Sequence, residues 1–261
     1  MSEVETVPQV AQPRKLGELI SASLNMFIDG WPRFAAILAV GLLPGALALA
    51  GLNLFYGYQD ENAVKLAFAA KEWGQLASLL ALGLAAKALE TLALLALILV
   101  IDAFDRKQDM ALGEAYDRAA GRFWPFLLTL LLVFVWVMGG TLLLIIPGIL
   151  MAIRFSLAHV AVVLEGVSGD AALERSKHLV LAHMGKVVGN AIVMALITVA
   201  VSAVLAFLVN LGGAFLKGSV PFMPQIVKIV ARFLGELVHV WFVAFYVLLF
   251  KDLAALHPKP A

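Results

Sequence analysis

The sequence contains no cysteine. This absence excludes disulfide bonds, thiolate metal sites, thioether-linked haem and cysteine nucleophiles. Charge is also scarce, because Asp, Glu, Lys and Arg together make up 14% of the 261 residues and the net charge at pH 7 is +1. A chain with so little net charge does not have the basic character of a nucleic-acid-binding protein, so we expect no nucleic-acid partner.

Long hydrophobic runs take the place of the missing charge. Apolar residues make up 62% of the chain and the mean hydropathy is +0.96. Several runs exceed the roughly 18 apolar residues needed for a membrane-spanning helix, and all are longer than the roughly 9–11 residues of a membrane barrel strand. Because lipid offers the backbone no hydrogen-bond partners, such runs must be helical. The sequence therefore predicts an all-α, polytopic integral membrane helix bundle.

The bundle is expected to be one membrane domain over residues 14–253. Residues 1–13 and 254–261 are predicted to be cytoplasmic tails, the first of them disordered. About six transmembrane helices are expected, near residues 34–56, 73–101, 123–146, 149–164, 187–211 and 233–250. The fourth of these is short and has Arg154 near its middle, so it either crosses the membrane fully or re-enters as a hairpin.

Amphipathic segments precede several of these spans. Residues 15–31 and 165–186 repeat apolar side chains at steps of three or four, which is typical of helices lying at a membrane surface. Leu-Gly-Glu followed by Trp-Pro occurs at residues 16–18 and 31–32, and again at 112–114 and 124–125. This echo indicates either a duplicated unit or a coincidence of residues that are common at membrane interfaces.

The distribution of Lys and Arg predicts the orientation. With both termini in the cytoplasm, most of the 19 basic residues fall on the inner side, as the positive-inside rule requires. The outer side would then hold Lys65, Lys71, Lys217, Lys228 and Arg232. The inverted arrangement fits worse, so we expect a multi-pass protein with both termini in the cytoplasm.

Five polar residues at or near membrane depth form the candidate intramembrane polar site: Lys87, Glu90, Arg154, Glu236 and His239. Lys87 and Glu90 are three residues apart on one predicted helix, so they share a face and can pair. Glu236 and His239 have the same spacing in the last span, on a stripe that also contains Arg232. Arg154 has no acidic residue three or four positions away, so its partner must come from another helix, with Glu90 the first candidate and Glu236 the second. The site either binds an ion, a proton or a lipid headgroup, or fixes helix packing.

Motifs for catalysis are missing from the sequence. There is no phosphate-binding glycine loop, no serine elbow and no histidine spacing suited to a metal, so we expect no cofactor and no metal. Asp102, Asp105 and Asp109 form the one carboxylate cluster that could hold Mg²⁺ for lipid chemistry, but Arg106 and Lys107 lie among them, as in a solvated loop.

A family resemblance rests on residues 145–166. Ile145-Ile146-Pro147-Gly148-Ile149-Leu150, the following Arg154 and the run to Gly166 resemble the membrane domain of some bacterial glycerophosphodiester phosphodiesterases and the stand-alone YciC-like inner-membrane proteins. Further similarity lies at 172–176, 124–125 and 246–253, so it covers residues 16–253. The resemblance implies a helical bundle of about six spans in a bacterial cytoplasmic (inner) membrane. In the fused members a separate soluble domain performs hydrolysis, and we expect no such domain in these residues.

Together these observations predict a non-enzymatic integral membrane protein that binds membrane lipids or other membrane proteins. The alternative is a transporter of a small solute, ion or lipid that uses the intramembrane charges. The third hypothesis is a membrane-embedded lipid-modifying enzyme that uses Asp102 and Asp105.

The cysteine-free chain permits a direct test of the topology. Ser168→Cys and Ser219→Cys, made one at a time, should react with a membrane-impermeant thiol reagent from opposite sides of the membrane. Labelling of both from the same side would refute the predicted topology.

Overall fold

The protein is entirely helical in the residues that its structure, a computed structural model, describes: 14–55, 71, 73–215 and 223–258. These residues contain eight helices and no strand, as the sequence predicts. The helices are α1 Leu16–Phe55, α2 Trp73–Asp105, α3 Leu112–Leu143, α4 Ile145–Arg154, α5 Ala158–Glu165, α6 Asp170–Ala182, α7 Met184–Phe215 and α8 Met223–Leu256. The predicted disordered tail 1–13 and the end of the second tail lie outside the described residues.

Six stretches of these helices are long and apolar enough to cross a membrane. They are Leu16–Ala48, Trp73–Asp105, Leu112–Leu143, Ile145–Glu165, Met184–Gly213 and Ile229–Leu256. Each has more than the roughly 18 residues needed for the apolar core of a bilayer. The chain is thus a multi-pass membrane protein by the length and composition of its helices, in agreement with the sequence.

Several helices extend beyond the predicted spans. The amphipathic segment 15–31 and the first span form one helix, α1, which contains Pro32 and Pro44. The segment 112–122 likewise continues into the third span across Pro125. Uncharged runs indicate which residues lie in the lipid, but they do not indicate where a helix begins. Leu19 and Met26, in the amphipathic part of α1, are buried in the same core as the span, so one helix continues through both. The fourth predicted span, by contrast, is divided into α4 and α5.

The core forms where α1, α2 and α8 pack together, with α3 and α5 completing it. Gly41 and Gly45 let α1 approach α2 closely. A Cβ atom built on Gly41 would lie 2.3 Å from the Cβ of Ala93, and one on Gly45 would lie 2.6 Å from the Cβ of Ala86. Small residues at such spacing bring helix backbones together in membranes, where dispersion forces drive association.

An apolar hairpin leaves this core. Leu144 alone separates α3 from α4, and the two helices pack closely because Gly140 meets the backbone of Gly148. A Cβ on Gly148 would collide with Thr141. At the tip, Leu142 and Leu143 are 82% and 79% exposed, as expected of side chains that face lipid.

Two buried hydroxyl groups fix the segment of chain that follows the hairpin. Ser176 Oγ of α6 donates to the Arg154 carbonyl at 2.8 Å and accepts from the Leu157 N–H at 3.1 Å, which satisfies the break between α4 and α5. Thr129 Oγ1 of α3 accepts from the Gly169 N–H at 2.9 Å. Gly169 has a φ of 59°, a conformation that favours glycine. These contacts hold the start of α6 against the hairpin.

Ion pairs gather the remaining segments at one end of the bundle, which we call the polar end. The pairs are Arg14–Asp252, Lys251–Asp102, Lys251–Asp105, Arg33–Asp109 and Arg175–Glu165. The first pair joins Arg14, just before α1, to Asp252 in the last turns of α8, so the start of α1 and the end of α8 lie on the same side of the bundle. Arg175 is the least exposed of these cations and also donates to the carbonyl of His257 at 2.8 Å.

Three histidines also meet at the polar end. The Nε2 atoms of His183 and His257 lie 3.2 Å apart, and the ring of His178 meets that of His257 edge to face. The pKa of His183 is lowered from its ordinary value of 6.5, first by burial and then by the charges of His257 and Lys186. The junction of α6 and α7 is therefore held to the end of α8 by contacts among these three rings.

We expect Gly41→Ala to destabilise the protein, because the added methyl group would overlap Ala93. Overpacking of this kind costs about 1–3 kcal/mol. The matched control is Gly83→Ala in α2, where a Cβ would meet nothing within 4 Å and the higher helix propensity of alanine should stabilise slightly. Thermal unfolding in detergent micelles measures both changes. Equal effects of the two substitutions would contradict the close packing of α1 and α2.

We expect acid to weaken the polar end through His183. Its pKa in the folded protein lies below 6.5, so its contribution to stability is complete above pH 6.5 and is lost as the pH falls through the lowered value. The unfolding temperature should therefore fall between pH 7.5 and pH 5.5, and it should fall less in His183→Gln. An identical fall in both proteins would show that His183 does not carry this dependence.

Candidate ligand cavity

A cavity of about 400 Å³ lies among the helices of the core and contains four of the five predicted site residues. Lys87 and Glu90 come from α2, and Glu236 and His239 come from α8. The remaining wall is mostly apolar and is formed by Leu38, Leu42, Ala93, Leu94, Leu97, Phe126, Leu130 and Val240. We call this the Glu90 cavity. An apolar cavity with a few convergent polar groups is the usual form of a ligand site.

Glu90 is the centre of the charged group. Its Oε2 atom lies 3.1 Å from Lys87 Nζ, and its Oε1 atom accepts a hydrogen bond from Arg232 Nη2 of α8. The Glu90 side chain is 17% exposed, whereas those of Lys87 and Arg232 are 77% and 46% exposed. The carboxylate is therefore held inside the bundle by two cations that reach it from the outside, which offsets the cost of placing it at membrane depth.

The other polar groups of the cavity are less tightly held. His239 Nδ1 lies 3.8 Å from Glu236 Oε2, beyond hydrogen-bond distance, and the ring of His239 stacks on Phe242. His159 of α5 also lines the cavity. Glu236 and His239 are held less firmly than Glu90, so they can accept a polar ligand.

Charge in the cavity is close to balanced when the histidines are neutral. Lys87 and Arg232 supply two positive charges, and Glu90 and Glu236 supply two negative charges. Since both cations already contact Glu90, the free capacity of the cavity lies at Glu236 and the two histidines. This part of the cavity suits a hydroxyl, amine or protonated group in the headgroup of an amphipathic ligand.

Arg154 does not join this group. It ends the short helix α4, which packs against α3 and α6, and Arg154 lines a separate cavity with α6 residues. The carboxylates expected to pair with it have other neighbours, since Glu90 is paired with Lys87 and Arg232, and Glu236 lies near His239. Arg154 is the last residue of α4, and the break at 155–157 separates it from α5, which is the helix that packs against α2 and α8. The structure therefore divides the predicted site into two places.

The carboxylate cluster considered for Mg²⁺ is occupied by cations of the chain. Lys251 lies between Asp102 and Asp105, Arg106 lies 3.0 Å from Asp102, and Arg33 holds Asp109. Within the described residues, no group of three or more histidine, aspartate and glutamate side chains is arranged to hold a metal ion. These carboxylates belong to the polar end, where they fix helix ends.

Two residues at this site were not predicted: Arg232, which contacts Glu90, and His159, which lines the cavity. Arg232 was recognised on the stripe of α8, but its pairing with Glu90 depends on how α2 and α8 pack, which periodicity does not contain. His159 has no charged residue three or four positions away, so the sequence carries no signal that it faces a polar cavity. Their placement is a result of tertiary packing alone.

Glu90 and Arg232 should be energetically coupled. Glu90→Gln and Arg232→Gln together are expected to cost less stability than the sum of the single changes, with a coupling of about 1 kcal/mol because Arg232 is partly exposed. The exposed pair Arg118 and Glu114 on one turn of α3 is the control, with an expected coupling of about 0.3–0.5 kcal/mol. Unfolding in detergent measures both cycles. Zero coupling of Glu90 with Arg232 would contradict the arrangement.

Comparison with known proteins adds no relative, because no family model, no curated protein and no solved structure matches the chain. The similarity of residues 16–253 to the phosphodiesterase membrane domain stays a prediction from the motifs at 145–166. The argument for function therefore depends on the cavity itself.

Proposed function

We propose that this protein is a non-enzymatic binding module of a bacterial cytoplasmic membrane, and that it binds the headgroup of a membrane lipid in the Glu90 cavity. The observation that carries the proposal is the cavity: about 400 Å³ of space with mostly apolar walls, in which Glu236 and His239 are not hydrogen-bonded to each other. Its mixture of apolar and polar surface matches an amphipathic ligand.

The position of the polar groups supports a lipid over a water-soluble ligand. Leu94 and Leu97 of α2 and Phe126 of α3 line the cavity beside the charged groups, so acyl chains can follow the apolar wall while the headgroup meets α8. Lys87 and Arg232 are substantially exposed at the edge, where basic side chains favour contact with lipid phosphate.

The placement of charge supports the proposed orientation. The start of α1 and the end of α8 meet at the polar end through Arg14 and Asp252, as an even number of membrane crossings requires. The polar end also holds Arg33, Arg106, Arg175 and Lys251. Such an excess of basic residues near the ends of spans favours the cytoplasmic side. We therefore place the polar end, with both termini, in the cytoplasm.

A photoreactive amino acid at position 94 tests the proposal. Leu94 lines the cavity, whereas Leu84 lies on the same helix and is 72% exposed. After irradiation in native membranes, adducts at position 94 should be enriched in one lipid class, and adducts at position 84 should follow the composition of the bulk membrane. Mass spectrometry of the adducts measures both. The same composition at the two positions would contradict selective binding.

Transport is the second candidate, and one observation favours it. Glu236, His239 and His159 are titratable side chains that line one cavity at membrane depth, the arrangement found along proton pathways. If the protein carries protons, Glu236→Gln should abolish a pH-driven flux in proteoliposomes. An unchanged flux in that variant, or no flux above empty liposomes in the native protein, would reject transport.

A further inference from the structure

A second cavity, of about 330 Å³, lies between the apolar hairpin and α6. It contains Arg154 at the end of α4 and Trp136 on α3. The α6 residues that face it are Asp170, Leu173, Glu174 and Lys177. Their spacing of three, four and seven residues from Asp170 places them on one side of the helix. We call this the Arg154 cavity. It shares no lining residue with the Glu90 cavity.

Four charged side chains line the Arg154 cavity, two positive and two negative. Among the described residues, Arg154, Lys177, Asp170 and Glu174 form no ion pair with one another or with any other side chain. At the polar end, by contrast, Arg14, Arg33, Arg175 and Lys251 are each paired with a carboxylate. A cavity lined by unpaired charges of both signs is electrostatically complementary to a zwitterion.

Arg154 provides an independent indication of a ligand. Its Nε atom is buried and has no hydrogen-bond partner within the described residues. A buried cationic donor without a partner is costly, because it has lost water and gained nothing in return. The hydrogen bond from Ser176 Oγ to the Arg154 carbonyl fixes the backbone at this point. An anionic group in the cavity would satisfy the guanidinium.

The surroundings of the cavity are suited to acyl chains. A neighbouring cavity of about 210 Å³ shares Phe155 with it and is lined largely by apolar residues, among them Val133, Val137 and Ala152. The ten residues that precede Arg154, 144–153, contain no charged residue and extend for about 15 Å toward the tip of the hairpin. At the tip, Leu142 and Leu143 are highly exposed. Polar groups at one end and apolar surface beyond them match a lipid rather than a free solute.

We propose that the Arg154 cavity binds a zwitterionic phospholipid whose headgroup carries a primary amine. The phosphate lies between Arg154 and Lys177, which supply N–H donors, and the ammonium group lies between Asp170 and Glu174. A primary ammonium group can donate to both carboxylates. A trimethylammonium group has no N–H to donate, so it would leave both carboxylates without a hydrogen bond.

Native mass spectrometry of protein released from nanodiscs tests the proposal. The nanodiscs contain equal amounts of phosphatidylethanolamine and phosphatidylcholine, with phosphatidylglycerol as the third lipid. The native protein should retain phosphatidylethanolamine in preference to phosphatidylcholine. Arg154→Gln should lower retention of both by about tenfold, because a charge-assisted hydrogen bond is lost. Glu174→Gln should remove the preference for the amine and keep the retention of phospholipid.

Lys15→Gln is the matched control, since Lys15 is exposed near the start of α1 and its side chain forms no ion pair in the described residues. It should leave retention unchanged. If Arg154→Gln does not fold, Lys177→Gln and Glu174→Gln, both on the exposed side of α6, decide the question.

Equal retention of the two lipids by the native protein would overturn the proposal, and so would a preference that survives both Glu174→Gln and Lys177→Gln. Displacement of the lipid by millimolar soluble phosphoethanolamine would assign the cavity to a free solute and would also overturn it. The photochemical test at position 94 reports on the Glu90 cavity, so the two proposals can fail separately.

Discussion

Charged residues that hold this bundle together do so as ion pairs, because a charge without a partner is costly in a membrane. The structure meets this constraint in two ways. At the polar end, Lys251 joins Asp102 and Asp105 of α2, and Arg14 joins Asp252, so helix ends are tied where water is available. Inside the bundle, Glu90 takes both Lys87 and Arg232. The packing of α1, α2 and α8 follows from these pairs and from the close approach at Gly41.

The exceptions to this rule point to function. Glu236 and the neighbouring His239 line the Glu90 cavity without a hydrogen bond between them, and Arg154 has a buried donor without a partner. Both places are cavities that combine charged and apolar side chains. A protein that leaves charge unpaired beside apolar surface is complementary to molecules that have the same two properties, and the lipids of the membrane are the most abundant of these. Both proposals express this single argument at different places in the fold.

Much of the fold was predictable from composition and spacing. Uncharged runs give the six helices long enough to cross a membrane, since the bilayer requires length and a satisfied backbone. Helix boundaries were less predictable, because Pro32 and Pro125 lie inside continuous helices, so apparent breaks in the sequence were not breaks in structure. The pairing of Lys87 with Glu90 follows from a local spacing of three residues. The arrival of Arg232, and the separation of Arg154, depend on packing between distant segments and could not be read from one helix.

The central claim is that Glu90 is held between cations of two helices at the wall of a cavity that accepts a lipid. A structure of the protein in nanodiscs made from its native lipids, at a resolution that shows side chains, tests it most directly. The account predicts Glu90 in contact with both Lys87 and Arg232 within the lipid belt, and elongated density that enters the cavity beside Leu94 and ends near Glu236. A cavity closed by its own side chains, or Glu90 turned to water away from Arg232, would contradict the account.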